Sequence, residues 1–186
     1  MGLFSGLKGT KPIGGQRDVQ AKPGRYLVRV DGFKRNKSAK PPFKEFVAFE
    51  FTVVKVLDEN QGLAHTLGHE GVELCLNYGT GEQVFLPKVA AILKGCLNAD
   101  PEDEDADAAS GTDEPLKGLV VEMSASNKPY TDKKTKEAKV ACNRSWHRSL
   151  PKSEVLAELD AAAMKRFFPN GVVENPYAPD EETSGQ

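Results

Sequence analysis

The 186-residue chain is poor in cysteine, carries one tryptophan, and has no long apolar run. Each scarcity excludes something. Cys75, Cys96 and Cys142 are too few and too widely spaced for a disulfide framework. Each falls in an apolar or alternating stretch, where a buried thiol is expected. No apolar segment approaches the roughly 20 residues of a membrane-spanning helix. The first residues, Met1-Gly2-Leu3-Phe4-Ser5-Gly6, do not have the charged-then-apolar layout of a signal peptide. Gly6 also stands where a myristoylation pattern needs Ser or Thr. A soluble protein in a reducing cytoplasm, with no membrane partner, is the expectation.

A net charge of one sign is also lacking: the formal sum is −2. The near-balance conceals a strong segregation. From Arg17 to Lys55 there are ten basic and four acidic residues, whereas Asp100 to Glu114 holds eight acids and no base. Leu116 to Arg148 returns to eight basic against three acidic residues, and Glu174 to Gln186 has four acids and no base. Such asymmetry speaks about partners where the total does not.

What is present is β pattern. Pro23-Gly24 opens a first strand over Arg25–Phe33, in which Tyr26, Val28 and Val30 share a face. Glu45–Leu57 is the longest strand signal, dominated by aromatic and β-branched residues. Val72–Tyr78, Lys117–Ser126 and Val140–Arg148 complete five strands. Between the third and fourth, Val89, Ile92, Leu93, Cys96 and Leu97 recur at helical spacing and predict a helix over Leu86–Asn98. A C-terminal helix is expected over Glu154–Phe168, capped by Ser153 and stopped by Pro169-Asn170-Gly171. The domain plan is a Gly-rich basic arm (1–22), one β domain (23–150) with a disordered acidic insertion (100–115), the helix (151–170) and an acidic tail (171–186). The insertion is too acidic to bury much of itself.

Five strands with a helix between the third and fourth is the order of an OB-fold barrel. That fold binds oligonucleotides or oligosaccharides on its strand 2–3 face and its L12 and L45 loops. An unrelated α+β sheet is the alternative. In the OB frame the two loops are Lys34–Lys44 and Asn127–Lys139, the most basic loops of the chain, each with one ring. The chemistry is that of single-strand binding: cations track phosphates and rings stack on bases. Candidate cations are Lys34, Arg35, Lys37, Lys40 and Lys44, then Lys128, Lys133, Lys134 and Lys136, with Arg144 and Arg148 on the fifth strand. Candidate stacking rings are Phe43, Phe46, Tyr78, Tyr130 and Trp146. No bidentate base-reading set is visible, so no strong sequence preference is expected.

The chain also resembles a known family. Pro23-Gly24-Arg25-Tyr26 leading into a strand, Phe49-Glu50-Phe51, Lys94-Gly95 at a helix end, Leu116-Lys117-Gly118 and the Asn143–Arg148 strand are similar to bacteriophage single-stranded DNA-binding proteins of the OB-fold type. The resemblance covers about residues 20 to 150 and is one of pattern. It implies coating of single-stranded DNA in replication or recombination, in the cytoplasm of the infected host. Replication or recombination proteins would then be partners through the acidic segments. The C-terminus departs from the family, ending Thr183-Ser184-Gly185-Gln186 rather than in an aromatic or apolar residue.

An enzyme is not expected, and neither is a cofactor. No nucleophile–base–orienter set is present, and Gly79-Thr80-Gly81 lacks the Gly-Lys-Ser/Thr of a phosphate loop. His65 and His69, with Glu70 and Cys75 nearby, suggest zinc only if they share a helix face, which Gly62, Gly68 and Gly71 oppose. The competing functional class is a structural or assembly β-barrel, such as a phage virion component, without nucleic-acid binding.

Overall fold

The computed structural model describes residues 23–39, 41, 45–58, 67–68, 70–76, 82–100, 102–109, 111 and 113–178, with the backbone alone at 45, 70, 76, 82–85, 103 and 142. Within them lie five strands, β1 (Gly24–Lys37), β2 (Glu45–Val56), β3 (Glu70–Leu76), β4 (Val120–Thr131) and β5 (Ala138–Ser149). Four helices accompany them: α1 (Glu82–Leu97), α2 (Asp103–Ala109), α3 (Lys152–Glu158) and α4 (Ala161–Phe167). The protein is mainly β. Its strands form one antiparallel sheet in the order β3-β2-β1-β4-β5.

The alternation read from the sequence sets the two faces of this sheet. Tyr26, Val28, Val30 and Phe33 from β1 bury with Val47, Phe49, Phe51 and Val53 from β2 and Val121, Met123 and Ala125 from β4. The β-bulge between Val30 and Gly32 restores Phe33 to this inner face, opposite Phe49. Ile92, Leu93, Cys96 and Leu97 of α1 close over the same core. The other face is shorter. There Leu27, Val54 and Val120 pack under Val155, Leu159, Phe167 and Phe168 of the C-terminal helices.

The expected barrel is not closed: among the described residues, β3 and β5 share no ladder. They are instead spanned from the inner side. Arg144 of β5 donates to Glu73 of β3 at 2.7 Å, and its guanidinium lies 5.2 Å from the Phe51 ring centroid. α1 packs along β5 and also touches β3. The close approach to β5 is possible because position 95 has no side chain: a Cβ there would lie 2.7 Å from the Trp146 Cβ. Large inward side chains and a helix thus occupy the place where a barrel would bring its third and fifth strands together.

Two other expectations change. The acidic stretch set down as disordered carries α2, which packs Ala109 and Ala106 against the main core through its small apolar side. The single C-terminal helix is two. Leu159 is extended (φ −107°, ψ 134°) and turns its side chain into the core, and Asp160 starts the next helix by accepting from the Ala163 N–H at 2.7 Å. Ser153 therefore lies inside α3, whose N-cap is Pro151.

Candidate nucleic-acid interface

Ladder lengths create the main feature. β1 pairs with β4 only as far as Gly24↔Ala125, while β4 and β5 stay paired out to Thr131↔Ala138. Residues 126–131 and their partners therefore leave the sheet as a two-stranded ribbon, and every β4 residue in it is exposed. Most of the expected second loop is thus strand. Its ring and lysines are held in register instead of being loosely tethered.

The ribbon's turn is built around Asp132. This carboxylate accepts from the backbone N–H groups of Lys134 (2.9 Å) and Thr135 (3.1 Å) and from the Lys139 ammonium (2.6 Å). The Lys139 hydrogen bond first, and the two backbone bonds after it, hold the Asp132 carboxyl well below the usual carboxylate range. Lys136 takes a left-handed conformation (φ 60°), and its N–H donates to the Asp132 carbonyl at 2.8 Å. Three consecutive turn positions are thereby fixed with their side chains pointing to solvent.

Charge on the ribbon is unevenly used. Lys139 pairs with Asp132 and, at 3.7 Å, with Glu137. Lys128, Lys133, Lys134 and Lys136 are exposed and form no ion pair among the described residues. By strand alternation Lys128 and Tyr130 share a face with Lys139, whereas Pro129 and Val140 share the other. Tyr130 is 36% exposed and Val140 51% exposed, so each face of the ribbon offers one large apolar group.

The first basic segment is different. Lys34, Arg35 and Lys37 belong to β1, not to a loop. Lys34 forms an ion pair with Glu114 at 3.0 Å, and Arg35 donates to Asp107 of α2 at 2.6 Å. Glu114 also pairs with Lys117 at 3.2 Å. Burial pushes the Glu114 carboxyl up, but the Lys34 and Lys117 hydrogen bonds outweigh it and hold the group below its ordinary value. The same bond to Glu114 raises the Lys34 ammonium. Phe46 is half-buried on β2 opposite Asn36. Lys40, Phe43 and Lys44 lie outside the described residues, as do Tyr78, His65 and His69.

The strand-five candidates divide. Trp146 and Arg144 face inward. Trp146 packs edge-on against Phe49 and Phe51, with ring centroids 4.8 and 5.2 Å apart. The Arg144 side chain is only 8% exposed and is engaged with Glu73. Their roles in this structure are packing and bridging: the indole is partly buried against the core, and the guanidinium spans to β3. Arg148 is half-exposed but pairs with Glu154 at 2.7 Å and lies 3.8 Å from Glu122.

The structure does not set the two basic segments side by side. β4 runs antiparallel to β1, so the ribbon extends past Gly24 while Lys34–Lys37 extend past the other end of the β1–β4 ladder. The face between them is covered in its middle by α3 and α4, where Arg29 donates to the Phe167 carbonyl and Lys55 pairs with Glu158 at 2.6 Å. Sequence reasoning missed the ribbon as an element. Its signal was the alternation of Val140 with Lys139 and Ala141 and the turn-forming Asp132, both masked by the density of lysines.

Among the described residues, no group of three or more His, Cys, Asp and Glu side chains is placed to hold a metal ion, and no helix is long and apolar enough to cross a membrane. No protein-family model matches the chain, and no curated protein matches it in sequence.

Proposed function

We propose that the protein binds single-stranded DNA without strong sequence preference, and that the β4–β5 ribbon is its principal contact. The observation that carries this reading is the ribbon itself: four lysines without ion pairs among the described residues and an exposed tyrosine on a two-stranded arm. Cations in that setting release counterions from a phosphate backbone, and a ring beside them stacks on a base. The strand order supports an OB-like ancestry, since β3-β2-β1-β4-β5 is the order of an OB barrel opened between its third and fifth strands. The ribbon then stands where that fold has its L45 loop. Coating of single strands in phage replication or recombination, inside the host cytoplasm, rests on the resemblance of residues 20 to 150 and is part of the same proposal. No enzymatic step and no cofactor enter it.

The test is a fluorescence-anisotropy titration of labelled dT oligomers over a range of salt, with a duplex of equal length alongside. Binding that falls steeply with salt and favours the single strand is expected. Absence of salt-sensitive binding to any single strand would leave the assembly-protein reading. Tighter binding to the duplex would instead assign the ribbon to the major groove, which is wide enough for a two-stranded β-ribbon.

A further inference from the structure

α1 and α2 border an apolar groove at the edge of the main core. It is lined by Leu86, Pro87, Val89, Ala90 and Leu93 of α1, by Ala106 of α2 and by Glu102. Its volume is about 280 Å³, at the lower edge of the roughly 300–1,000 Å³ of small-molecule sites and suited to a few apolar side chains. Leu86 is 57% exposed at its mouth. The rim is negative. Asp107 and Asp100 have cation partners in Arg35 and Lys94, whereas Glu102, Glu104 and Asp105 pair with no cation among the described residues. An apolar trough with a negative lip selects an apolar segment that is also positive.

The chain holds one such segment outside the described residues. Leu3, Phe4 and Leu7 are followed by Lys8 and Lys11, and no acidic residue occurs before Asp18. Leu3 and Leu7 stand four apart with Phe4 beside them, the spacing with which a single helical turn presents one apolar face. Between Lys11 and the first β1 residue, Gly24, lie twelve residues. Extended, these reach about 40 Å, more than enough to cross a domain of this size.

We propose that residues 3–11 of the same molecule occupy the α1–α2 groove, with Leu3, Phe4 and Leu7 in the trough and Lys8 and Lys11 against Glu102, Glu104 and Asp105. The inference is independent of nucleic-acid binding. The docked segment shields Leu86 and neutralises part of α2, so the acidic helix is held by apolar contact from the N-terminal arm as well as by Arg35.

The test uses the full chain with Ser5→Cys and Ala90→Cys introduced together and Cys142→Ser removing the third native thiol; Cys75 and Cys96 are buried. A short bis-maleimide reagent is added to dilute protein, and products are read by gel and intact mass. An intramolecular cross-link is expected, at least five-fold faster than for a control pairing Ser5→Cys with Ser126→Cys on the ribbon. Leu86→Asp, at an exposed position, and Lys8→Glu with Lys11→Glu should each slow it to the control rate. A rate equal to the control in the parent pair overturns the proposal. A cross-link found only between chains overturns it too, and assigns the groove to a second copy.

Discussion

Gly95 of α1 meets Trp146 of β5 so closely that a methyl group on the glycine would fall 2.7 Å from the tryptophan Cβ and 3.1 Å from its carbonyl carbon. The Trp146 Cβ and the backbone that fixes it, not a movable side-chain end, are what it would strike. In an ordinary helix interior Gly→Ala gains about 1 kcal/mol. Here Gly95→Ala is expected to lose about 1–3 kcal/mol, the usual cost of overpacking. Chemical denaturation followed by Trp146 emission measures it, and a gain in stability would show that the helix is not seated as described.

Arg144 tests the bridge between the sheet's two edges. Its side chain is nearly fully buried and bonded to Glu73, which Lys88 also contacts at 2.8 Å. Removing one partner of a buried pair strands the other, at about 3–5 kcal/mol. Because Lys88 remains to Glu73, Arg144→Ala should cost nearer about 3 kcal/mol. Affinity for single strands, measured where the variant is folded, should change little. A stable variant that has lost binding would move Arg144 to the interface.

The ribbon lysines should act on salt dependence. For single strands, each phosphate contact adds about 0.7 to the slope of log K against log salt. Replacing Lys128, Lys133, Lys134 and Lys136 with Ala should flatten that slope by about 2–3 without altering the melting temperature. Replacing Lys34 and Arg35 should do less, because those cations already face Glu114 and Asp107.

In the proposed complex Tyr130 supplies the stacking contact. Tyr130→Ala should weaken dT binding by about 1–3 kcal/mol, and Tyr130→Phe should restore most of the loss because the ring, not the hydroxyl, stacks. Equal affinities for wild type and Tyr130→Ala would remove the ring from the interface.

Glu114 predicts an acid-side effect. Its folded-state pKa is depressed, so its contribution is complete above the ordinary carboxylate value and is lost as pH falls through the folded one. The stability difference between wild type and Glu114→Gln should therefore be constant at neutral pH and shrink below about pH 4.5. Thermal melts at a series of pH values would read it. A difference that instead grew on acidification would mean that Glu114 is protonated more easily in the fold.

Much of the sheet was legible because alternation is a property of consecutive residues. Tyr26-Leu27-Val28 and Phe49-Glu50-Phe51 place their inner and outer members without knowledge of any partner. The ribbon was less legible, since lysines suit loops and exposed strands alike, and only pairing across to Val140 and Lys139 decides between them. The break at Leu159-Asp160 was hidden in a run with good helical spacing: Leu159 fits either an unbroken helix or an extended link, and Phe167 and Phe168 below it favour the link. α2 escaped notice because its apolar side consists of alanines, whose contribution appears only when a core lies beneath them. For the candidate site, residue types were readable, but their neutralisation was not. Lys34 and Lys128 look alike in sequence, and only the fold supplies Glu114 to one of them.

The ribbon's exit from the sheet has a mechanical consequence. Beyond Ala125 its backbone is secured by the β4–β5 ladder and the Asp132 turn, without the β1 ladder that holds the rest of β4. It can fray and re-zip on its own while the layers beneath stay shut. The part of the molecule proposed to meet a single strand is therefore also the part most open to cleavage after Lys133, Lys134 or Lys136. A nick there would open the ribbon and leave an otherwise intact body behind.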